Sequence, residues 1–286
     1  MERKSKFPPW IKRRTGSGQT FAHTDRTISE LGIETICANA NCPNCGDCWS
    51  RGTATVLILG NICTRNCRFC SVGHGKPLPP DPTEPQRVAA MAKQMNLKYL
   101  VITSVDRDDL PDGGAAHFKA VVEKCRLEMP ELKFELLVPD FRNCQEKALQ
   151  ILTPALPFVF GHNLETVAEL YPTARPGGDY RLSVSLLEKA KAAWPDIQTK
   201  SSIMLGLGET DPQILQVLKD LRSVCCDRIA IGQYLKPSKE SLDVAEFIPP
   251  EKFDYWKQTA LELGFSWVMS SPFTRSSYHA EQSLTF

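Results

Sequence analysis

The chain has 286 residues, of which 42% are hydrophobic and 23% charged, and its net charge is +1. That length admits one large domain or two ordinary ones with a sizeable core, and near-neutrality leaves no global field to recruit nucleic acid or an anionic membrane. No apolar run approaches the roughly 18–20 residues of a membrane span.

The first 52 residues carry Pro8, Pro9, Gly16 and Gly18 and show few strand-like runs, so residues 1–52 read as an irregular extension. The opening MERKSKFPPWIKRR is basic but lacks the apolar stretch of a secretory signal, and the expected compartment is the cytoplasm. Within it Arg3, Lys4, Lys6, Lys12, Arg13 and Arg14 stand against one acid, Glu2. Such a run is commonly a solvated tail; the alternative is electrostatic steering of an acidic partner.

From residue 53 onward short apolar runs alternate with stretches of helical period. The runs are 53–60, 98–104, 133–140, 157–163, 200–208, 228–235 and 265–271. Between them lie 85–95, 116–129, 144–152, 183–194, 212–224 and 251–264, with apolar residues three and four apart. Strand runs spaced by helices predict βαβ units on a parallel sheet. Six or seven such units predict a partial (β/α) TIM-type barrel over 53–271, followed by a tail, 272–286.

Cysteine is the informative residue. Of 11 cysteines, seven fall between 37 and 70; Cys125, Cys144, Cys225 and Cys226 are scattered and read as structural or free thiols. Crowding at short spacings without a secretory signal argues for metal ligation over a disulfide framework. Cys63, Cys67 and Cys70 form C-x3-C-x2-C just after the first strand run, at the end of a β/α barrel where chemistry sits. Three thiolates suit an iron–sulfur cube and leave one iron open, a reaction site rather than a staple. The competing reading is a Cys3His zinc site completed by His74.

Upstream, CANANCPNCGDCW allows two readings. Cys42, Cys45 and Cys48 begin like a ferredoxin run, but the fourth cysteine is missing: Arg51 and Gly52 stand there. The other reading skips Cys45 and takes Cys37, Cys42 and Cys48 as C-x4-C-x5-C.

CTRNCRFC resembles the signature of the radical S-adenosylmethionine enzymes. The longer set FPPWIK, CANANCPNCGDCW, GNICTRNCRFCSV, TSVDRDDLPDGGA, GHNLETV, MLGLGE, QYLKPS and RSSYHA resembles the lipoyl synthase family across nearly the whole chain. The resemblance implies that Cys63, Cys67 and Cys70 hold a [4Fe–4S] cluster whose open iron binds S-adenosylmethionine. It implies a second, auxiliary [4Fe–4S] cluster on Cys37, Cys42 and Cys48, with a serine of RSSYHA as fourth ligand: Ser276 or Ser277, Ser277 being favoured. An alkoxide is a poorer match for iron than a thiolate, which suits a cluster consumed as sulfur donor. Cys45 is then an extra thiol, expected to be inert; the alternatives are that it substitutes for a lost ligand or binds iron during reconstitution.

By the same resemblance Phe69 packs beside the adenine and Gly113 and Gly114 lie near the methionine amino group. Asn163, Glu165, Arg175 and Lys200 contact the cofactor's ribose and carboxylate. Asp106, Asp108 and Asp109 are expected to position neighbours by hydrogen bonds, since a radical reaction has no need of paired acid–base carboxylates. Ser202 stands where the family pattern suggests glycine. MLGLGE lacks the GK[ST] ending of a phosphate loop.

The function implied is insertion of two sulfurs at C6 and C8 of an octanoyl chain held on a lysine. The carriers implied are lipoyl domains of the E2 subunits of 2-oxoacid dehydrogenases and the glycine cleavage H protein. A low-potential donor, ferredoxin or flavodoxin, is also implied. A methylthiotransferase would need a further substrate module, for which the length leaves little room. An electron carrier or zinc module predicts a small chain with closed four-ligand sites.

Overall fold

The computed structural model describes residues 7–11 and 15–283; the six basic residues of the N-terminal run lie outside the described residues. In chain order α1 (Gly18–Glu30), α2 (Ile36–Asn39) and α3 (Cys45–Ser50) precede β1 (Thr55–Ile58). A parallel pair of two-residue strands, β2 (Ile62–Cys63) and β3 (Gly73–His74), brackets the CTRNCRFC loop. Alternation follows with α4 (Glu84–Gln94), β4 (Tyr99–Ser104), α5 (Ala115–Glu128), β5 (Lys133–Leu137), α6 (Gln145–Leu152) and β6 (Val159–Gly161). The last elements are α7 (Tyr171–Ala174), α8 (Tyr180–Ala193), β7 (Thr199–Leu205), α9 (Asp211–Ser223), β8 (Arg228–Gln233), α10 (Pro250–Glu262) and β9 (Trp267–Ser270).

Seven strands pair in the order β1-β4-β5-β6-β7-β8-β9, each parallel to the next. The sheet therefore winds in one direction, with β1 and β9 as its edges, and the barrel stays partial. Each of the seven runs expected from sequence contains one of these strands. Crossover helices cover the outer face, and all four residues of β1 are buried, as a strand covered on both faces requires.

The two faces of the sheet differ in chemistry. On β4, Leu100 and Ile102 join the main apolar core with Phe118, Val121 and Val122 of α5. Tyr99 and Val101, on the alternate face, instead pack with Ala280 of the tail. That inner face is polar low in the barrel: Lys200 Nζ lies 2.8 Å from Glu135 Oε1, and the Tyr99 hydroxyl donates to Glu135 Oε2 at 3.0 Å.

The N-terminal segment is not irregular, a correction to the sequence reading. It contains the 13-residue α1, whose buried face is Thr24, Thr27 and Ile28. Two of those three are threonines, so the helix lacks the apolar period that would announce it. The segment also shields an edge of the sheet. The Leu57 N–H donates to Glu34 O at 2.9 Å and Thr35 bridges Val56, occupying backbone groups that an open edge would present.

Candidate active site

A chamber of about 310 Å³ opens at the C-terminal ends of the strands. Its lining includes Cys63, Cys67 and Cys70, and also Cys37, Cys42 and Cys48, with Ser276 and Ser277 between. Cys45 is absent from that lining although it is three residues from Cys48 on α3.

The first triad sits on a loop tied down on all sides. β1 is followed by Leu59, which takes a left-handed φ of 68° and is buried. For a leucine that conformation needs outside support. The Leu59 N–H donates to Glu84 Oε2 at 2.9 Å, and Arg107 Nη1 donates to Leu59 O at 3.3 Å. His117 Nε2 lies 2.6 Å from the same Glu84 oxygen. Further along, the Thr64 N–H donates to Asp106 O and the Arg68 N–H to Ala174 O. The N–H groups of Arg65 and Asp106 donate to Cys63 Sγ at 3.4 and 3.3 Å, and that of Val72 to Cys70 Sγ at 3.4 Å. Such bonds favour a thiolate and tune any cluster it holds.

Beneath the loop Arg65 is buried and bonded to two carboxylates. Its Nε and Nη2 donate to Asp108 at 2.8 and 2.7 Å, and its Nη2 also donates to Asp140 Oδ1 at 2.7 Å. Burial alone would raise the Asp140 carboxyl, but the hydrogen bonds and charge of Arg65 outweigh it and hold Asp140 down to about 2. Asp106, 3.4 Å from Arg65 Nη1 through Oδ1, is pushed up by burial. Asp109 instead pairs with Arg107 outside the chamber.

The second triad is held differently. Thr35 caps α2 by accepting the Ala38 N–H, which sets Cys37; the Cys42 N–H donates to Cys37 O at 3.0 Å. The Cys48 N–H donates to Asn44 O within the start of α3. The C-terminal tail then closes over the segment. Asn44 Nδ2 donates to Phe273 O at 2.7 Å, and the Tyr278 hydroxyl to Asp47 Oδ2 at 3.1 Å. Arg51 spans Asp47, His279 and the Tyr278 ring.

The donor set tests whether iron–sulfur clusters fit. Burial pushes the thiols up, Cys48 and Cys67 to about 12 and Cys63 to about 11, so without a metal they are protonated and neutral. A metal displaces those protons and supplies the compensating charge. The Cys37 thiol feels Cys42, Cys48 and Cys45, and Cys67 feels Cys70 and Cys63, so each motif is a spatial group as well as a spacing; it is the chamber lining that sets Cys45 apart. Among the described residues no three His, Cys, Asp or Glu side chains close on a point as ligands of a single ion do. The observation that fits a cluster is the shared lining: both triads face one chamber of about 310 Å³. His74, the fourth ligand of the zinc alternative, is exposed and does not line it.

Of the other positions anticipated from sequence, Phe69, Asn163, Glu165 and Arg175 line the chamber. Asn163 Nδ2 donates to Glu165 Oε1 at 3.0 Å, and burial raises the Glu165 carboxyl. Arg175 is buried and donates to Asn163 O, the Tyr171 hydroxyl and Ser183 Oγ. Lys200 does not reach the chamber. It sits second in β7, at the opposite end of the strand, spent on Glu135. Gly113 and Gly114 do not line the chamber either. They turn the chain at φ of 60° and 90° into α5, and a Cβ on Gly114 would stand 2.3 Å from Leu59 Cδ1. The smallness of Gly114 makes room for Leu59 under the CTRNCRFC loop, and that of Gly113 for Phe141.

Sequence reasoning missed Arg65, Asp140, His162 and Gly232. Asp140 and His162 stand at the C-terminal ends of their strand runs, just past β5 and β6, which was a usable signal. His162 is fully buried and its Nδ1 lies 2.9 Å from Val138 O; burial, then the Arg175 charge, lowers it to about 4, so it is a neutral ring.

Comparison with known proteins agrees with this geometry. A family model described as the radical SAM superfamily matches residues 57–221. Solved structures share the fold: Streptococcus suis SuiB bound to S-adenosylmethionine superposes with a TM-score of 0.58 at 11% identity, over 75% of this chain and 49% of that one. Methylornithine synthase (PylB) superposes with a TM-score of 0.56 at 14% identity, over 75% and 70% of the two chains. Fold and thiol triad thus define a radical S-adenosylmethionine enzyme, whose cofactors are that molecule and a [4Fe–4S] cluster. Curated relatives narrow the class. The lipoyl synthase of Methylococcus capsulatus is 50% identical over 275 residues, 96% of this chain and 85% of that one. That of Thiobacillus denitrificans is 49% identical over 281 residues, 98% and 90% of the two chains. The chain belongs to the lipoyl synthase family of radical sulfurtransferases.

Proposed function

We propose that the chain inserts two sulfur atoms, at C6 and C8, into an octanoyl chain carried on a lysine of a lipoyl domain. The observation that supports it is one chamber lined by both thiol triads and by Ser277. A substrate carbon there would lie within reach of a radical source and a sulfur source together.

In this reading Cys63, Cys67 and Cys70 hold the cluster that binds S-adenosylmethionine. Cys37, Cys42, Cys48 and Ser277 hold an auxiliary [4Fe–4S] cluster. Ser276 is hydrogen-bonded to Asn163, whereas the neighbouring Ser277 hydroxyl lines the chamber with no hydrogen-bond partner among the described residues, as does Ser104 on the barrel side; only Ser277 belongs to the RSSYHA motif. When bound, the cofactors supply a carbon radical able to break an unactivated C–H bond, and sulfide to replace the hydrogen. The chain's own residues orient and exclude water. Arg175 and Asn163 offer donors to the cofactor's carboxylate and hydroxyls, and Leu137, Val138 and Leu235 give an octanoyl chain an apolar wall. Residues 53–271 form the radical barrel, and 1–52 and 272–286 together serve the auxiliary cluster.

Among the described residues no helix is long and apolar enough to cross a membrane. We place the enzyme in the reducing cytoplasm, where eleven free thiols persist. Its carriers there are E2 lipoyl domains and the glycine cleavage H protein, and its electrons come from ferredoxin or flavodoxin.

The test is anaerobically reconstituted protein with reductant, S-adenosylmethionine and a peptide bearing octanoyl-lysine, followed by mass. The expected result is gain of two sulfurs through a one-sulfur intermediate. Formation of 5′-deoxyadenosine with no change in peptide mass would overturn the octanoyl assignment and leave the radical one.

A further inference from the structure

The tail crosses the rim of the chamber as an arch fixed at both feet. At one foot the Ser271 N–H donates to Ile231 O at 3.1 Å, and Asn44 holds Phe273 O. At the other, Tyr278 is bonded to Asp47. Gly232 makes the crossing possible: a Cβ there would stand 2.0 Å from the Thr274 carbonyl oxygen. A glycine inside a buried strand commonly marks such close passage of another backbone.

Between the feet the arch meets the barrel wall at Ser276, while the charge of Arg275, the residue before it, acts on Glu165. The Ser276 hydroxyl donates to Asn163 Oδ1 at 3.0 Å, joining residues 113 apart in sequence. The other end of the same amide is tied to Glu165, whose carboxyl is buried. Asn163 and Glu165 both line the chamber, and so does Ser277, the next residue of the arch. Any occupant that engages this amide acts on a group already holding the tail.

We propose that Ser276 is a positioning residue that couples occupancy of the Asn163–Glu165 wall to the seating of the arch that carries Ser277. It rests on the reading above, in which S-adenosylmethionine takes that wall and Ser277 serves the auxiliary cluster. A bound cofactor that hydrogen-bonds Asn163 displaces Ser276, and the arch loosens at the residue next to the sulfur donor's weakest ligand. The coupling is reciprocal: a seated arch opposes cofactor binding by the factor with which the cofactor loosens the arch. One neutral hydrogen bond sets that factor at about two- to tenfold.

The experiment uses the full chain with both clusters reconstituted and S-adenosylmethionine without reductant, so that nothing turns over. Amide hydrogen exchange is read over residues 273–279, and the cofactor Kd by calorimetry. In the wild type, saturating cofactor is expected to raise exchange of this segment about two- to tenfold. Ser276→Ala should exchange at the raised rate with or without cofactor and bind it tighter by a similar factor, and Ser276→Thr should restore the wild-type response. Unchanged or slower exchange on binding to the wild type overturns the coupling, as does weaker or equal cofactor binding by Ser276→Ala. Failure of the iron-replete wild type to bind cofactor at all overturns the radical reading itself, and the coupling with it.

Discussion

The triad Cys63, Cys67 and Cys70 stands on a loop that the barrel grips from several sides, whereas Cys37, Cys42 and Cys48 stand on a segment held by the meeting of the chain's two ends. The first loop is closed by the β2–β3 pair, supported at Leu59 by Glu84 and Arg107, and underlain by the Arg65–Asp108–Asp140 network. The second rests on two short helices and is roofed by the tail through Asn44 and Tyr278. A group that must present the same iron repeatedly gains from fixed surroundings. If, as proposed, the second triad holds a cluster that is consumed and rebuilt, its wall has to open, and a tail anchored through Asn44 and Tyr278 suits that need. Perturbing the two walls separately should therefore give unlike results.

The largest effect is expected at Arg65. Arg65→Met removes the nearer cation and leaves Asp140, whose side chain is fully buried, beside Asp106 with only Arg175, 3.9 Å away, to offset the charge. Breaking a buried ion pair on one side costs about 3–5 kcal/mol. The loop above should lose its order as well. In a background with Cys37, Cys42 and Cys48 replaced by alanine, iron bound per chain reports the radical site alone. It should fall severalfold, together with the urea midpoint. Full iron retention at unchanged stability would show that the network does not support the loop.

His162 tests the same wall by pH, with a smaller effect. Its ring faces Arg175, Asp140, Arg65 and the Val138 carbonyl, and burial holds it at about 4 against an ordinary 6.5. The unfolded chain therefore binds the proton first on acidification. Stability from the neutral ring is complete above pH 6.5 and is lost as pH falls toward 4. The integrated loss for such a shift is roughly 3 kcal/mol. Urea midpoints compared between pH 7 and pH 4.5 should fall further for the wild type than for His162→Gln. Equal acid sensitivity in the two proteins would contradict a buried neutral ring.

Sequence legibility followed the range of the interactions. The seven strands were readable because a buried parallel strand needs a short, continuous apolar run, whatever it pairs with. The thiols that line the chamber were readable as two groups because the loops fix their spacing locally. Lys200 was misassigned because its partner, Glu135, lies 65 residues away and nothing near Lys200 announces it. Gly113 and Gly114 lie off the chamber, against Phe141 and Leu59 respectively, and a glycine that admits a ligand has the same sequence appearance as one that admits such a neighbour. Arg65 was hidden inside a motif read only for its cysteines. The helix α1 escaped because its buried face is built on threonine.

The smallest effect is expected at Cys45, on the auxiliary wall. Burial and the neighbouring Cys42 raise its thiol to about 11, and it packs at the margin of the apolar core rather than on the chamber. Replacement by alanine deletes one sulfur from a half-buried site, a change usually within about 1 kcal/mol. Iron per chain, sulfur insertion and the urea midpoint should all stay near wild type for Cys45→Ala. The contrast with Cys42→Ala is what gives the measurement force, because Cys42 is three residues away and lines the chamber. Loss of four irons from Cys42→Ala with full retention by Cys45→Ala would separate ligand from bystander within one short turn of chain. Equal losses would mean that Cys45 ligates as well, and that the C-x4-C-x5-C spacing has been assigned to the wrong three thiols.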